Sequence, residues 1–292
     1  MNNAAEPGLK IATVAERTGV GVHTLRAWER RYGIPRPSRS SGHQRLYSDE
    51  DVRRVLRVVA LANEGVAPAQ AAARVLSESF EAAPGPGRDE VDALFESLAM
   101  LDERAAIGAW NWLVDRHDVN TLIEQCIVPA LRRIGAGWAS GDVSIDQEHF
   151  ATAFLSSRLS GLARQASPPA HPLVVLACPA GETHELPLQM AGVLIRYRGV
   201  NTVLLGANTP SAAVAHAVEQ TDAVAAAIPA FSPETAREAL KAARAVGKAR
   251  PGTTIILGGP GFATAGTLPP GASIATTLTD TADRVRQAAW GQ

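Results

Sequence analysis

A chain of 292 residues, 46% of them hydrophobic, is long enough to bury two or three cores, which excludes disorder as the default. The net charge of −1 conceals an asymmetry: 12 basic and 8 acidic residues lie up to Phe80, and 16 and 21 lie after it, so one part is fitted to meet a polyanion. Cys126 and Cys178 have neither disulfide-framework nor zinc spacing, no apolar run approaches the length of a membrane span, and Met1 to Gly8 lacks a signal peptide's regions, so a cytoplasmic protein is expected.

In chain order, Thr13-x-x-Glu16 has the pattern of a capping box and predicts a helix start there. Gly19 supplies a turn, and a second helix is expected from Val22 to Tyr32, ended by Gly33 and Pro35. On it, His23, Arg26 and Arg30 recur at helical spacing beside Thr24, a set able to face a groove together. A wing-like loop follows, in which Arg39 and Arg45 flank a tight turn at Gly42 and His43, suited to gripping phosphates. Ser48-Asp49-Glu50-Asp51 then begins a helix with Val52, Val55, Leu56 and Val59 on one face.

Pro84-Gly85-Pro86-Gly87 can propagate neither helix nor strand and marks the first boundary. From Arg88 to Gln165 the signals are almost entirely helical. A helix carrying Ile127, Leu131 and Ile134 runs into Gly135, Gly137 and Trp138, and Ser144-x-x-Gln147 caps the next. Trp138 and Glu148-His149 thus flank one helix-helix turn. After the breaker cluster Ser167 to Pro172, short apolar runs at 173–177, 202–205, 223–228 and 254–257 alternate with helix formers, and a weaker run spans 273–276. That alternation predicts a parallel sheet covered on both faces, with its ligand at the switch point, where the loop from Cys178 to Glu185 emerges. In that loop Glu182-Thr183-His184 places a carboxylate and a hydroxyl beside an imidazole, which can thereby be fixed in one tautomer and bind a metal. Gly258-Gly259, after the fourth run, permits close backbone approach. No Ser/His/Asp order, phosphate-binding loop or His-Glu metal motif is present, so no enzyme is expected.

The amino-terminal pattern resembles the MerR family of transcriptional regulators, whose wing has the form R-x-x-G-x-R-x-Y, matched by Arg39, Gly42, Arg45 and Tyr47. The later pattern resembles the cobalamin-binding domain shared by methionine synthase and light-sensing MerR regulators, with its D/E-x-H and G-G elements. Trp138, nine residues and Glu148-His149 together resemble the W-x9-E-H pattern of the helical bundle in those light-sensing regulators. The resemblance implies a winged helix-turn-helix over 1–80, a linker at 81–88, a bundle of the four-helix type over 89–166 and a flavodoxin-like, Rossmann-type α/β cobalamin-binding domain over 167–292.

It also implies a repressor that binds double-stranded operator DNA through His23, Thr24, Arg26, Arg30, Arg39, His43, Arg45 and Tyr47. The implied cofactor is adenosylcobalamin or another cobalamin, with His184 on cobalt from below, Trp138, Ile145, Glu148 and His149 on the upper side, and Glu182, Thr183, Gly258 and Gly259 around it. A homo-oligomer, dimer or tetramer, is expected, without membrane contact. The resembled regulators carry a histidine after the tryptophan; Ala139 stands there in this chain. Pro187 replaces the signature glycine, and 228–230 lacks the middle serine, although Ser232 is near. The departures at Pro187 and Pro229 keep open a regulator answering another corrinoid or a protein partner without light, and the cobalamin domain shared with methionine synthase keeps open a corrinoid methyl carrier.

Overall fold

The computed structural model describes residues 9–39, 45–63, 66–77, 88–263 and 267–291, and separates into two compact units, Met1–Ala82 and Ala83–Gln292. His43, Gly42 and the proline-glycine linker fall outside the described residues.

In the first unit, α1 (Ile11–Thr18) and α2 (Val22–Tyr32) are joined through Gly19, whose positive φ closes the carboxyl end of α1. The helix begins at Ile11 after Lys10, which gives no side-chain cap, so Thr13 and Glu16 lie inside it and the expected capping box does not form. Strands β1 (Ser38–Arg39) and β2 (Arg45–Leu46) pair antiparallel as the base of the wing, and α3 (Asp49–Asn63) and α4 (Pro68–Ser77) complete the unit. Leu25, Ile34, Tyr47, Val55, Val58 and Val75 close a core between them. Trp28 packs against that core.

The buried Asp51 carboxylate ties these parts together. One oxygen accepts from the Arg36 amide at 2.6 Å, the other from the Ser48 amide at 2.9 Å and hydroxyl at 3.0 Å, while Ser48 accepts in return from the Asp51 amide. This is a reciprocal cap on α3 extended to the segment that leads into the wing. Asp51→Ala leaves buried donors unpaired and is expected to cost about 3 kcal/mol, read as a roughly 100-fold loss of hydrogen-exchange protection in α3. Unchanged protection would show that the carboxylate is not needed there.

The second unit opens with helices: α5 (Arg88–Ala99), α6 (Glu103–Arg116), the short α7 (Val119–Thr121), a π-helical turn at Leu122–Ile127, α8 (Val128–Ser140) and α9 (Ile145–Gln165). The capping box at Ser144 and Gln147 forms as the spacing predicts, and the Gln147 amide also donates to the Ala99 carbonyl. The helix before it does not stop at Gly135 or Gly137; it continues to Ser140 and turns at Gly141, φ 86°. Gly137 is small because Val143 folds back against it: a Cβ there would meet Val143 Cγ2 at 2.5 Å.

The sheet follows, with strands β3 (Leu173–Pro179), β4 (Asn201–Thr209), β5 (Ala225–Pro229), β6 (Thr254–Gly258) and β7 (Ala272–Ala275) in the order β4-β3-β5-β6-β7, all parallel. Its helices are α10 (Leu186–Tyr197), α11 (Ser211–Gln220), α12 (Pro233–Ala249) and α13 (Leu278–Trp290). This is the flavodoxin-like order, whose crevice opens at the carboxyl ends of the first and third strands in chain order. Strand β3 is buried throughout and divides two cores by side-chain alternation. Leu173, Val175 and Ala177 meet α11 and α12, whereas Val174, Leu176 and Cys178 join α10, α13 and the bundle residues Leu155 and Leu159.

The bundle and sheet therefore share one core. Two polar links reinforce the joint: Glu124 accepts from the Thr279 amide at the start of α13, and Arg196 donates to the Ala163 and Ala166 carbonyls at the end of α9.

Candidate cofactor and DNA sites

The loop after β3 crosses the crevice and is organised by Glu182, whose side chain is 2% exposed. Its Oε1 accepts from the amides of Thr183 and His184, each at 3.0 Å, and lies 2.5 Å from His184 Nδ1. Its Oε2 accepts from the Phe231 amide and the Thr235 hydroxyl, both at 2.8 Å. Burial alone would raise this carboxyl's pKa. The bonds from His184, Phe231 and Thr235 outweigh that effect and hold it below the usual carboxylate range.

His184 itself is 63% exposed at its side chain and stacks on Phe231, the ring centroids 4.8 Å apart. With Nδ1 on Glu182, the ring is oriented and Nε2 is the nitrogen left to face a ligand. Beneath it, Cys178 Sγ donates to the His184 carbonyl at 3.5 Å, and burial pushes that thiol up to about 12, which makes it a packing residue. The opposite side of the loop is held by Asn208, whose amide donates to the Glu182 carbonyl and whose Oδ1 accepts from the Gly181 amide. Asn208 occupies the left-handed region, φ 48°, where its short polar side chain is tolerated.

Three positions behave differently from their sequence signal. The hydroxyl that reaches the Glu182 carboxylate is that of Thr235, not of Ser232. Ser232 caps α12, and its reciprocal partner Thr235 turns its own hydroxyl onto Glu182. Pro187 replaces a glycine at no cost in hydrogen bonding, because it lies in the first turn of α10, where an amide has no helical acceptor. Gly259, φ 97°, is glycine because a Cβ would collide with the Ala230 carbonyl oxygen. Its close approach is thus to the loop after β5, and Gly261 repeats it against the Ser232 carbonyl. Neither Phe231 nor Thr235 stood out in the sequence, although the Ser232-x-x-Thr235 spacing before helix formers was a readable signal.

On the bundle, Trp138 is 57% exposed near the end of α8 and Ile145 is 62% exposed at the start of α9. His149 Nδ1 lies 2.7 Å from Glu148 Oε2, and Glu148 Oε1 accepts from Thr152. An indole and an isoleucine left open at one helix-helix turn are apolar surface that none of the described residues covers.

On the first unit, His23, Thr24, Arg26 and Arg30 are exposed along α2, with Leu25 buried behind them. Tyr47, expected at the DNA face, is instead buried: its ring fills the core and its hydroxyl donates to Glu29 Oε2 at 3.3 Å. Arg45 is half exposed and donates through Nε to Glu29 Oε1 at 2.9 Å. Arg39 lies on β1.

Among the described residues no group of three or more His, Cys, Asp or Glu is placed to hold a metal ion, and no helix is long and apolar enough to cross a membrane. A single oriented imidazole fits a metal whose other positions a macrocycle fills.

Residues 9–78 match the MerR HTH family regulatory protein, and residues 90–162 and 172–282 each match a B12 binding domain. The chain is 36% identical over 215 residues to the HTH-type transcriptional repressor CarA of Myxococcus xanthus, covering 73% of each. It is 31% identical over 226 residues to the HTH-type transcriptional repressor CarH of the same organism, covering 73% of this chain and 76% of the relative. The monomethylamine corrinoid protein of Methanosarcina barkeri shares the fold of the second unit's kind, with a TM-score of 0.57 at 12% identity over 69% of this chain and 99% of that one.

Proposed function

This chain belongs to the MerR family of transcriptional regulators in its cobalamin-binding form, and from that premise we propose a repressor whose assembly on operator DNA is controlled by adenosylcobalamin and reversed by light. The observation that carries the reading is the Glu182–His184 pair, an anionic carboxylate holding an exposed imidazole with one nitrogen free.

In this reading His184 would hold the cobalt through Nε2, and Phe231 would fix the plane of its ring. Trp138 and Ile145 cover the upper side, while Glu148 and His149 offer a carboxylate and an imidazole to the ribose and adenine of the adenosyl group. Bound adenosylcobalamin supplies a cobalt–carbon bond that light breaks. Ala139 has no side-chain atom that ligates a metal, so the position after Trp138 supplies no second protein ligand. Covering the exposed indole and isoleucine changes the surface available to a second copy, and linked copies bring several DNA-binding heads to one operator.

Sizing the full chain in darkness and after green light, with and without adenosylcobalamin, tests this. Assembly with the cofactor in darkness and dispersal after light are expected. A chain that takes up the cofactor yet keeps one size under all four conditions would refute the control by light and assembly.

For DNA, Arg26, Arg30 and Arg45 are proposed phosphate contacts beside His23 and Thr24, with Arg39 and His43 in the wing. Replacing the three arginines with glutamine is expected to weaken binding and to flatten the dependence of log affinity on log salt by about one unit for each arginine that meets a phosphate. Titrations at several salt concentrations check it, and an unchanged slope would move the DNA face elsewhere.

A further inference from the structure

We propose that Glu29, a carboxylate on the helix that faces DNA, is the positioning residue that sets the wing against α2 and so determines operator discrimination. The proposal rests on the reading of α2 and the wing as the DNA face.

An acidic side chain is out of place on a surface made to meet phosphates, since its own charge opposes binding. Its surroundings explain it. Glu29 is mostly buried, 18% exposed at its side chain, and each oxygen has a different partner. Oε2 accepts from the Tyr47 hydroxyl, and Tyr47 is a fixed point: its ring is in the core, and its amide and carbonyl both pair with Leu9. Burial, then the neighbouring Glu29 charge, pushes that phenol up to about 12, so it remains a donor throughout the neutral range. Oε1 accepts from Arg45 Nε, at the foot of the wing.

One carboxylate therefore joins a rigid tyrosine, the exposed helix and the wing arginine. A free arginine loses rotamer freedom when it contacts DNA, a cost the contact has to overcome. Engagement at Nε fixes the guanidinium plane in advance, and the remaining donors of the fork can still meet a phosphate oxygen. Register between wing and helix is then set before DNA is met. Such a restraint favours the duplex whose phosphates fit that register and gives little to one whose phosphates do not.

The test uses the full chain, a duplex selected by the wild-type chain from a random-sequence library, and a shuffled duplex of the same composition. Glu29→Ala is expected to lose about tenfold in affinity for the selected duplex and less than about threefold for the shuffled one. Glu29→Gln keeps one acceptor, its amide oxygen, for Arg45 Nε, while its NH2 group can donate to the Tyr47 hydroxyl oxygen in place of accepting from it, and it is expected to stay within about threefold of wild type on both duplexes. Arg45→Gln is expected to cost about tenfold in the wild-type background and under about threefold beside Glu29→Ala, because the two residues act as one device.

Equal gains in affinity for both duplexes in Glu29→Ala would overturn the proposal, leaving Glu29 as a plain repelling charge. Multiplicative costs of the two substitutions would overturn it as well. Should Glu29→Ala lose α3 protection and unfold the head, Glu29→Gln decides: unaltered discrimination supports positioning, and a gain above about tenfold on both duplexes refutes it. If the wild-type chain selects no duplex, the DNA reading falls and the role of Glu29 with it.

Discussion

Replacing His184 with alanine is expected to remove cobalamin binding, with affinity falling at least about 100-fold, the upper range seen when a metal site loses even its outer partners. The imidazole is the side chain this loop presents with one ring nitrogen left open, and Glu182 has already oriented it. Its nearest loop neighbours are poor substitutes: Thr183 offers only a hydroxyl, and Cys178 is buried below the loop with its thiol held protonated. Titration with the cofactor, followed by its visible spectrum, is the check. The spectral change that marks nitrogen ligation should disappear with the affinity. Hydrogen-exchange protection in α3 of the first unit should be unaltered, which separates loss of the ligand from loss of the fold. Unchanged affinity with an unchanged spectrum would place the lower ligand on another residue.

Periodicity and punctuation were most legible where a single element decided its own shape. Val22 to Tyr32 is a helix with the predicted bounds because Gly33 can take the left-handed cap and Leu25 is the buried point of an otherwise polar face. The capping box at Ser144 and Gln147 formed, while the same pattern at Thr13 and Glu16 did not, because the apolar Ile11 and Val14 draw the helix start three residues earlier. Strand β4 runs from Asn201 to Thr209, well past the apolar run at 202–205, since its bulged end carries Gly206 and Asn208 to clamp the His184 loop. Partners distant in sequence were the least legible. Thr235 lies 53 residues from Glu182, and Glu29 lies 18 from Tyr47. Each looked like an ordinary helix residue until the fold brought it to its partner.

Glu182 is the second position at which a large effect is expected, and its magnitude follows from the number of donors it satisfies. Glu182→Ala would leave the amides of Thr183 and His184 without their buried acceptor, leave the Phe231 amide only its longer bond to Thr235 Oγ1 at 3.2 Å, and release the Thr235 hydroxyl. A loss of about 3 kcal/mol in the stability of the second unit is expected, the range for orphaning buried partners of a carboxylate. Cobalamin affinity should fall about 10- to 100-fold, because His184 would keep its nitrogen but lose the partner that selects its tautomer and aims its ring. Glu182→Gln separates the two effects. Its carbonyl oxygen can still accept from the loop amides, but its NH2 group cannot accept from Phe231, and the charge that favours a proton on His184 Nδ1 is gone. Stability should then recover in part while affinity remains depressed. Thr235→Val, which removes one of the donors to Oε2 and leaves the carboxylate on His184, should weaken cofactor binding by only about threefold, as for one hydrogen bond. Cofactor titration and urea unfolding of the variants should rank them His184→Ala, Glu182→Ala, Glu182→Gln, Thr235→Val in descending loss of affinity. A Glu182→Gln chain that binds cobalamin as tightly as wild type, with the same spectrum, would show that the carboxylate serves the loop's fold and has no part in presenting the imidazole.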